Sequence, residues 1–281
     1  MKEDQNKAPI PMKIVIVILF VLMIAVNGMA QGGFINGITT GDLSDSYPNL
    51  FVPIGFTFSV WGVIYLSLLG YVLYQLGLFH KTETLADAKL MQRTQLVFIV
   101  SSIANIAWIF AWHFRQTLVS VVFMAILLAG LCYMNSILNS AARKNLLTFR
   151  EKIFLRLPFS LYLGWITVAT IANISAFLVS IQWNRFGVSE SVWMMVILGI
   201  GTIIAMADII LGRDVAYGLV VIWAYAGILI KHVLPTGFNL LYPEIVVTTV
   251  VCIILLVLAE LYILIFRKLA EKKSREIKEA A

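Results

Sequence analysis

Charged side chains are scarce in this chain. They make up 13% of its 281 residues, whereas 60% of the residues are hydrophobic and the mean hydropathy is +0.92. An average soluble domain has about 25% charged residues. The sequence therefore has too little polar surface to cover a core in water, which excludes an ordinary soluble protein and makes lipid the expected solvent.

Cysteine and histidine are also scarce, with two and three residues respectively. Cys132 and Cys252 both lie in apolar runs, where a thiol behaves as a small hydrophobic side chain, so they do not report a redox compartment. His80, His113 and His232 lie far apart, each near the end of an apolar run. Because no Cys/His cluster has metal-ligand spacing, we predict no protein-bound metal.

Patterns of catalysis and of nucleic-acid binding are missing as well. No His/carboxylate pair, Ser/His/Asp set or glycine-rich phosphate loop occurs at usable spacing, although separate helices could still assemble a catalytic site. No basic stripe carries interleaved aromatic residues. We therefore assign no catalytic residues and expect no nucleic-acid partner.

What the sequence has instead is a series of long apolar runs. A hydrocarbon core of about 30 Å needs about 20 apolar residues in a helix. Each run must be helical, since a strand would leave its backbone N–H and C=O groups unpaired in lipid. The sequence thus predicts an all-α polytopic membrane protein with eight spans, at 13–31, 51–79, 95–113, 117–139, 157–182, 192–211, 214–231 and 244–266.

The basic residues are distributed asymmetrically over the breaks between these spans. Of 21 Lys and Arg residues, all except Arg115, Arg185 and Lys231 fall on one side of the predicted membrane. By the positive-inside tendency, both chain ends are cytoplasmic and these three cations face outward. The formal charge of +6 then indicates contact with anionic lipid headgroups. Since no organelle-targeting extension is recognisable, we expect a prokaryotic plasma membrane.

The sequence also allows predictions for the two ends of the chain. Lys13, the apolar run 14–26 and the small residues 28–30 also fit a signal peptide with a cleavage site, so retention of residues 1–30 stays open. At the other end, six basic residues are mixed with three glutamates in 267–281. This pattern predicts a cytoplasmic tail that continues the last helix.

Three of the predicted spans combine tryptophan, tyrosine or asparagine at helical spacing and differ in this from the Leu/Ile/Val background. Residues three or four positions apart share a helix face. The stripes are Trp61 and Tyr65 in the second span; Asn105, Trp108 and Trp112 in the third; and Tyr162, Trp165, Ala169 and Asn173 in the fifth.

These stripes have two readings. An amide that faces lipid has no water to bind, so Asn105 and Asn173 should point into the bundle, where the stripes could line a cavity. Alternatively, asparagine joins neighbouring helices while the aromatic rings fill the core or lie at the membrane surface.

The stripes also form motifs in a recognisable order. Pro53 and Val60-Trp61 precede Tyr65, Asn105-Ile106-Ala107-Trp108 leads into Trp112, and Tyr162-Leu163-Gly164-Trp165 is followed by Ala169 and Asn173. This order resembles the tryptophan-rich sensory protein/translocator protein family, also called the TspO/MBR or peripheral benzodiazepine receptor family. The resemblance covers about residues 13–182. The chain differs from the pattern at Gly55, His113, Leu161 and Val168, where Trp, a second aromatic residue, Pro and Phe are usual.

The resemblance implies a five-helix bundle that binds a hydrophobic molecule such as a porphyrin, a sterol or an isoprenoid, for sensing or transport, without a required cofactor. It also implies a possible homodimer. The expected domains are then 1–182, a three-helix membrane extension at 183–266 and the tail 267–281. The ligand would lie beneath the glycine-rich connection 32–50, which is either a lid or an ordinary solvated loop. The implied ligand-binding residues are Trp61, Tyr65, Asn105, Trp108, Tyr162, Trp165, Ala169 and Asn173.

Two acidic residues in the last three spans indicate an alternative function. Asp208 and Glu260 lie inside apolar runs, where a carboxylate is costly and is by default a functional hypothesis. Both are near the cytoplasmic end of their span, so an ion pair or a contact with headgroups would also explain them. The alternative function is a proton-linked transporter that uses these two residues.

Overall fold

The computed structural model describes residues 10–79 and 84–279 and contains only helices and their connections in those ranges. Eight helices are long and apolar enough to cross a membrane. This confirms the predicted all-α polytopic membrane protein. The helices are α1 Ile10–Gln31, α2 Val60–Gln75, α3 Ala88–His113, α4 Thr117–Arg143, α5 Leu157–Ser180, α6 Glu190–Ala207, α7 Val215–Val233 and α8 Pro243–Glu279.

Local sequence explains where several helices begin. The side chains of Asp87, Ser189 and Asp214 accept hydrogen bonds from backbone N–H groups in the first turns of α3, α6 and α7. Such caps satisfy donors that a helix start leaves unpaired. In the second predicted span, Pro53 disfavours helix at the residue before it. The helix therefore begins only with the 3₁₀ turn Gly55–Ser59, which leads into α2.

The first five helices form a closed ring. α1 packs against α3 and α2, α3 against α4, α4 against α5, and α5 against α2. Around the ring the order is therefore α1, α2, α5, α4, α3. The stripe-bearing helices α2, α3 and α5 are all members of this ring, which allows their polar and aromatic faces to meet inside it.

The last three helices pack on the outside of the ring along α5. α7 contacts α5, while α8 contacts both α7 and α6. At Gly164 of α5 the approach of α7 is so close that a Cβ atom would lie 2.6 Å from the carbonyl oxygen of Tyr217 and 3.0 Å from Cβ of Val220. Small residues permit such contacts between membrane helices.

α7 also supports the segment that leads into α2. The backbone N–H of Ile54 donates to the carbonyl oxygen of Gly227 at 3.1 Å, and Nε1 of Trp223 donates to the carbonyl oxygen of Thr57 at 3.0 Å. A Cβ atom on Gly227 would overlap the side chain of Thr57. α7 therefore helps to shape the ring at the start of α2.

The connections 32–54, 114–116, 181–189 and 234–242 lie at one end of the bundle, which we call the lid face. α8 runs beyond the apolar span Pro243–Phe266 and continues to Glu279 at the opposite end. The chain beyond the last apolar span is therefore helical through Glu279. With eight crossings, both ends of the described chain lie on the side opposite the lid face.

Candidate functional site

The stripes from α2, α3 and α5 meet around one indole ring. The ring centroid of Trp61 lies 5.2 Å from that of Tyr65, 6.5 Å from Trp108, 5.8 Å from Tyr162 and 6.1 Å from Trp165. We call these five residues the aromatic cluster. Their contacts are the offset and edge-to-face geometries that aromatic pairs prefer. Five of the predicted ligand-binding residues thus lie side by side within the ring of helices.

An amide bridge braces the cluster from the side of α1 and α3. Nδ2 of Asn105 donates to the hydroxyl of Tyr162 at 2.9 Å, and Oδ1 of Asn105 accepts from Nδ2 of Asn27 at 2.6 Å. Asn105 is fully buried. Sequence reasoning missed Asn27, although an amide inside an apolar span requires a partner on a neighbouring helix, and this requirement was the available signal.

Several buried donors at the cluster lack an acceptor. The hydroxyl of Tyr65 and the Nε1 groups of Trp108, Trp112 and Trp165 have no hydrogen-bond partner among the residues that the structure describes. Buried polar atoms are bonded in the large majority of cases. Four unpaired donors at or next to one cluster therefore mark a place where acceptor atoms of a bound molecule would be stabilised.

Two cavities border the cluster. One has a volume of about 400 Å³ and opens between α1 and the start of α2, where Asn27, Gly55, Trp61 and Tyr65 line it. The other has about 40 Å³, which is too small for more than a water molecule or two. Phe58 lines both cavities, and its ring centroid lies 5.6 Å from that of Trp165. The structure thus divides the expected pocket at Phe58.

The predicted residues differ in their relation to these cavities. Trp165, Ala169 and Asn173 line the small cavity, and Oδ1 of Asn173 accepts from Oγ of Ser120 at 2.8 Å. Asn105, Trp108 and Tyr162 line neither of the two. They are buried against Trp61 or bonded to one another and support the cavity walls from behind.

The connection 32–50, which we call the lid, covers the small cavity with the short helix Thr40–Asp45. His113, at the end of α3, holds it in three places. Its ring contacts the hydroxyl of Thr40 and the carbonyl oxygen of Ile35, both at 3.2 Å, and its carbonyl oxygen accepts from Nδ2 of Asn36 at 3.0 Å. One of the four residues that differ from the family pattern, His113, thus positions the lid.

Two of the three cations at the lid face, Arg115 and Lys231, also contact the lid. Arg115 donates to Oγ of Ser46 at 3.4 Å and lies 5.9 Å from the ring centroid of Tyr47. Nζ of Lys231, on α7, lies 2.5 Å from Oδ1 of Asp45. These contacts explain why Arg115 and Lys231 lie at the lid face, whereas most of the basic residues lie at the opposite end of the bundle.

Replacing Lys231 with glutamine should loosen the lid without unfolding the bundle. The Asp45 side chain in this pair is 55% exposed, and exposed ion pairs contribute at most about 1 kcal/mol. We expect faster amide hydrogen exchange confined to residues 32–50 and an unchanged melting temperature. High salt should produce the same change in the unmodified protein, because salt screens exposed charges. Unchanged exchange in the variant would show that this ion pair does not hold the lid.

The intramembrane acid Asp208 lies in a cluster of polar side chains near the end of the bundle opposite the lid. Both of its carboxylate oxygens accept from Nδ2 of Asn135 at 3.2 Å. Nearby, a guanidinium nitrogen of Arg156 donates to the carbonyl oxygen of Arg213 at 3.0 Å and lies 3.7 Å from the buried carboxylate of Asp214. Asp214, which sequence reasoning passed over, joins α5 to α7 because it accepts from Oγ of Ser160 at 2.6 Å and from the N–H of Tyr217 at 3.3 Å.

The second intramembrane acid, Glu260, is 5% exposed and lies on α8. A Cβ atom on Gly218 of α7 would overlap its carboxylate and also the side chain of Ile209, which follows Asp208 in the chain. Glu260 therefore lies at the contact of α7 with α8, beside Ile209, whereas the carboxylate of Asp208 contacts Asn135 on α4. In the part of the chain that the structure describes, no group of three His, Cys, Asp or Glu residues could hold a metal.

Comparison with known proteins identifies a family. A family model described as TSPO-like protein matches residues 13–262. The match continues through the last three helices, so it does not confirm that they are an extension of a five-helix unit. No curated protein and no solved structure matches the chain.

Proposed function

The chain belongs to the TSPO-like protein family and is an integral membrane protein, and from these premises we propose that it binds a hydrophobic small molecule for sensing or transport. The proposed ligand is of the tetrapyrrole, sterol or isoprenoid class. The observation that carries this proposal is the set of buried donors without acceptors, at an aromatic cluster that borders a cavity of about 400 Å³. Small-molecule pockets typically have such volumes and combine apolar walls with a few polar groups.

The ligand would bind first in the larger cavity. Trp61 and Tyr65, whose rings stack there at 5.2 Å, offer a flat surface to a planar molecule, and the Tyr65 hydroxyl offers a donor to its carbonyl or carboxylate oxygen. Gly55 lines the same cavity, and a Cβ atom on it would meet nothing within 4 Å. The absence of an indole at this position leaves the cavity open.

The smaller cavity would admit part of the ligand after Phe58 moves. Phe58 separates the two cavities and belongs to the 3₁₀ turn before α2, not to the helix itself. The unpaired Nε1 of Trp165, with Ala169 and Asn173, would then become accessible beneath the lid. Movement of Phe58 would therefore join the two cavities, and with them the predicted ligand-binding residues that line them, into one pocket.

Replacing Tyr65 with phenylalanine tests this function. The variant removes a buried hydroxyl that has no partner among the described residues, so its stability should stay equal or rise. Its affinity for a porphyrin should fall about tenfold, as expected when one hydrogen bond to the ligand is lost. The measurement is titration of the detergent-purified full chain, followed by the absorbance of the porphyrin.

The matched control is Tyr225→Phe. The Tyr225 hydroxyl donates to the carbonyl oxygen of Leu198 at 3.0 Å and so joins α7 to α6 without contacting the two cavities at the aromatic cluster. This variant should therefore lose stability and keep its affinity. A porphyrin affinity that is the same in Tyr65→Phe and in the unmodified protein would contradict the proposed pocket.

Orientation and assembly complete the proposal. The distribution of the basic residues supports a position of both chain ends in the cytoplasm of a prokaryotic cell, with the lid face outward. The partners would be the lipid bilayer, the small molecule and a second copy of the chain in a homodimer.

A second function, proton-linked transport, has one observation in its favour. Asp208 is bound by the neutral amide of Asn135, and a carboxylate in such a setting can take up and release a proton. Transport into proteoliposomes that survives both Asp208→Asn and Glu260→Gln would remove this alternative. The ion pair of the neighbouring Arg156 with Asp214 favours a structural role for the cluster as a whole.

A further inference from the structure

A third cavity, of about 380 Å³, lies on the lid face outside the ring of five helices. It is enclosed by the end of α5, the connection 181–189, the start of α6 and the segment 48–51. It shares no lining residue with either cavity at the aromatic cluster. Its volume falls within the range of small-molecule sites.

The cavity has an apolar floor and an aromatic side. Phe51 and Met194 line it and are almost completely buried, at 1% and 2% exposure. Trp183 and Trp193 also line it, with ring centroids 4.8 Å apart. Indole rings at the end of a span lie at the level of the lipid headgroups, where one side of the ring is apolar and the other is wet. The cavity thus faces the boundary between headgroups and acyl chains.

One charge of each sign lines the same cavity. Arg185 is the outward cation that the lid does not use, and Glu190 lies in the first turn of α6. The Nε atom of Arg185 is buried and meets no acceptor in residues 10–79 and 84–279. A guanidinium N–H that is buried without an acceptor is costly, and a phosphate or carboxylate group would satisfy it.

The backbone around Arg185 is held in an uncommon shape. Gln182, Arg185 and Phe186 have φ values of 54°, 55° and 55°. This left-handed region is unfavourable for residues other than glycine, and such strain is often found at ligand sites. Oδ1 of Asn184 accepts from the N–H of Phe186 at 3.1 Å and fixes the turn. The turn thereby presents Arg185 to the cavity.

We propose that this cavity binds the head of a zwitterionic amphiphile. The anionic group, a phosphate, would bind Arg185, and the ammonium group would bind Glu190. The apolar part would cover Phe51 and Met194. Because the cavity offers one positive and one negative side chain, a ligand head without net charge complements it better than an anionic head. Its position at the headgroup level indicates a phospholipid, such as phosphatidylethanolamine, as the source.

Native mass spectrometry of the full chain tests this proposal. The protein is released from detergent micelles that contain either phosphatidylethanolamine or the anionic phosphatidylglycerol, and the retained lipid is titrated. We expect preferential retention of phosphatidylethanolamine, weakened about tenfold by Arg185→Gln or by Glu190→Gln through loss of a charge-assisted hydrogen bond. The matched controls Arg115→Gln and Glu244→Gln remove charges of the same kind outside the cavity and should retain the lipid normally.

A further variant tests whether the lipid occupies the cavity, and a soluble competitor tests whether a lipid or a soluble molecule is the ligand. Ile197→Trp fills the cavity without changing a charge and should also abolish retention, while circular dichroism checks that each variant is folded. Displacement of the lipid by soluble phosphoethanolamine would support the same chemistry with a soluble ligand as its source. Equal retention of the two lipids, or equal losses in the control variants, would overturn the proposal. The affinity for porphyrin should be unchanged in all of these variants. A failure of this proposal can therefore be told apart from a failure of the proposed function.

Discussion

Replacing Gly164 with valine should lower the free energy of unfolding by about 3 kcal/mol, because the added side chain overpacks the contact of α5 with α7. A Cβ atom added at Gly164 would lie 2.6 Å from the carbonyl oxygen of Tyr217. A helix backbone cannot change its position as easily as the end of a long side chain can. The two helices must therefore separate. Thermal unfolding in detergent, followed by circular dichroism, measures the loss.

Gly199→Val is the matched control for this variant. Gly199 is also a helical glycine in an apolar span, yet a Cβ atom on it would meet nothing within 4 Å, so valine should have little effect there. Displacement of α7 in Gly164→Val should also reduce porphyrin affinity, since α7 supports Ile54 and Thr57 ahead of α2. Equal stability of the two valine variants would show that α5 and α7 are not packed this closely.

Replacing Asn105 with leucine should cost about 3 kcal/mol, because it leaves polar groups of both Tyr162 and Asn27 buried without their partner. The contacts of 2.9 Å and 2.6 Å join α3 to α5 and to α1, so the loss should also be seen as faster hydrogen exchange in α1. Chemical or thermal unfolding of the purified variant gives the magnitude.

A double-mutant cycle gives the control for the amide bridge. Asn27→Leu combined with Asn105→Leu removes both amides, so the pair should cost clearly less than the two single losses added together. Nδ2 of Asn27 also donates to the carbonyl oxygen of Met23 at 2.8 Å, which keeps the Asn27 amide partly satisfied in Asn105→Leu. Strictly additive losses would mean that the two amides act independently and that the bridge is not a stabilising unit.

Helical periodicity was sufficient to predict much of the architecture. Apolar run length gave the eight spans, and spacing of three and four residues placed Trp61, Trp108 and Trp165 on faces that the structure brings together. These features depend on local geometry, which a sequence encodes directly. Whether Trp61, Trp165 and the other cluster residues bind a ligand remains a prediction.

Other features depend on partners that are distant in the chain. The division of the pocket by Phe58 follows from the path of the 3₁₀ turn and from the rotamer of one side chain, which periodicity does not specify. The contacts of the lid with His113 and Lys231 join residues up to 186 positions apart. The sequence shows that Gly164 is small and could permit a close helix contact. It does not show that Tyr217 is the partner, because many helix pairings satisfy the same pattern.

The contact between Asp45 and Lys231 has a consequence for how the protein is made. Lys231 is the 186th residue that the ribosome adds after Asp45, and Gly227, which accepts from Ile54, is made almost as late. A nascent chain that has just completed α5 contains the whole aromatic cluster and neither of these supports. Until the seventh helix has been inserted, the lid therefore has its contacts with His113 and Arg115 but not the one with Lys231, and the start of α2 lacks its support from α7.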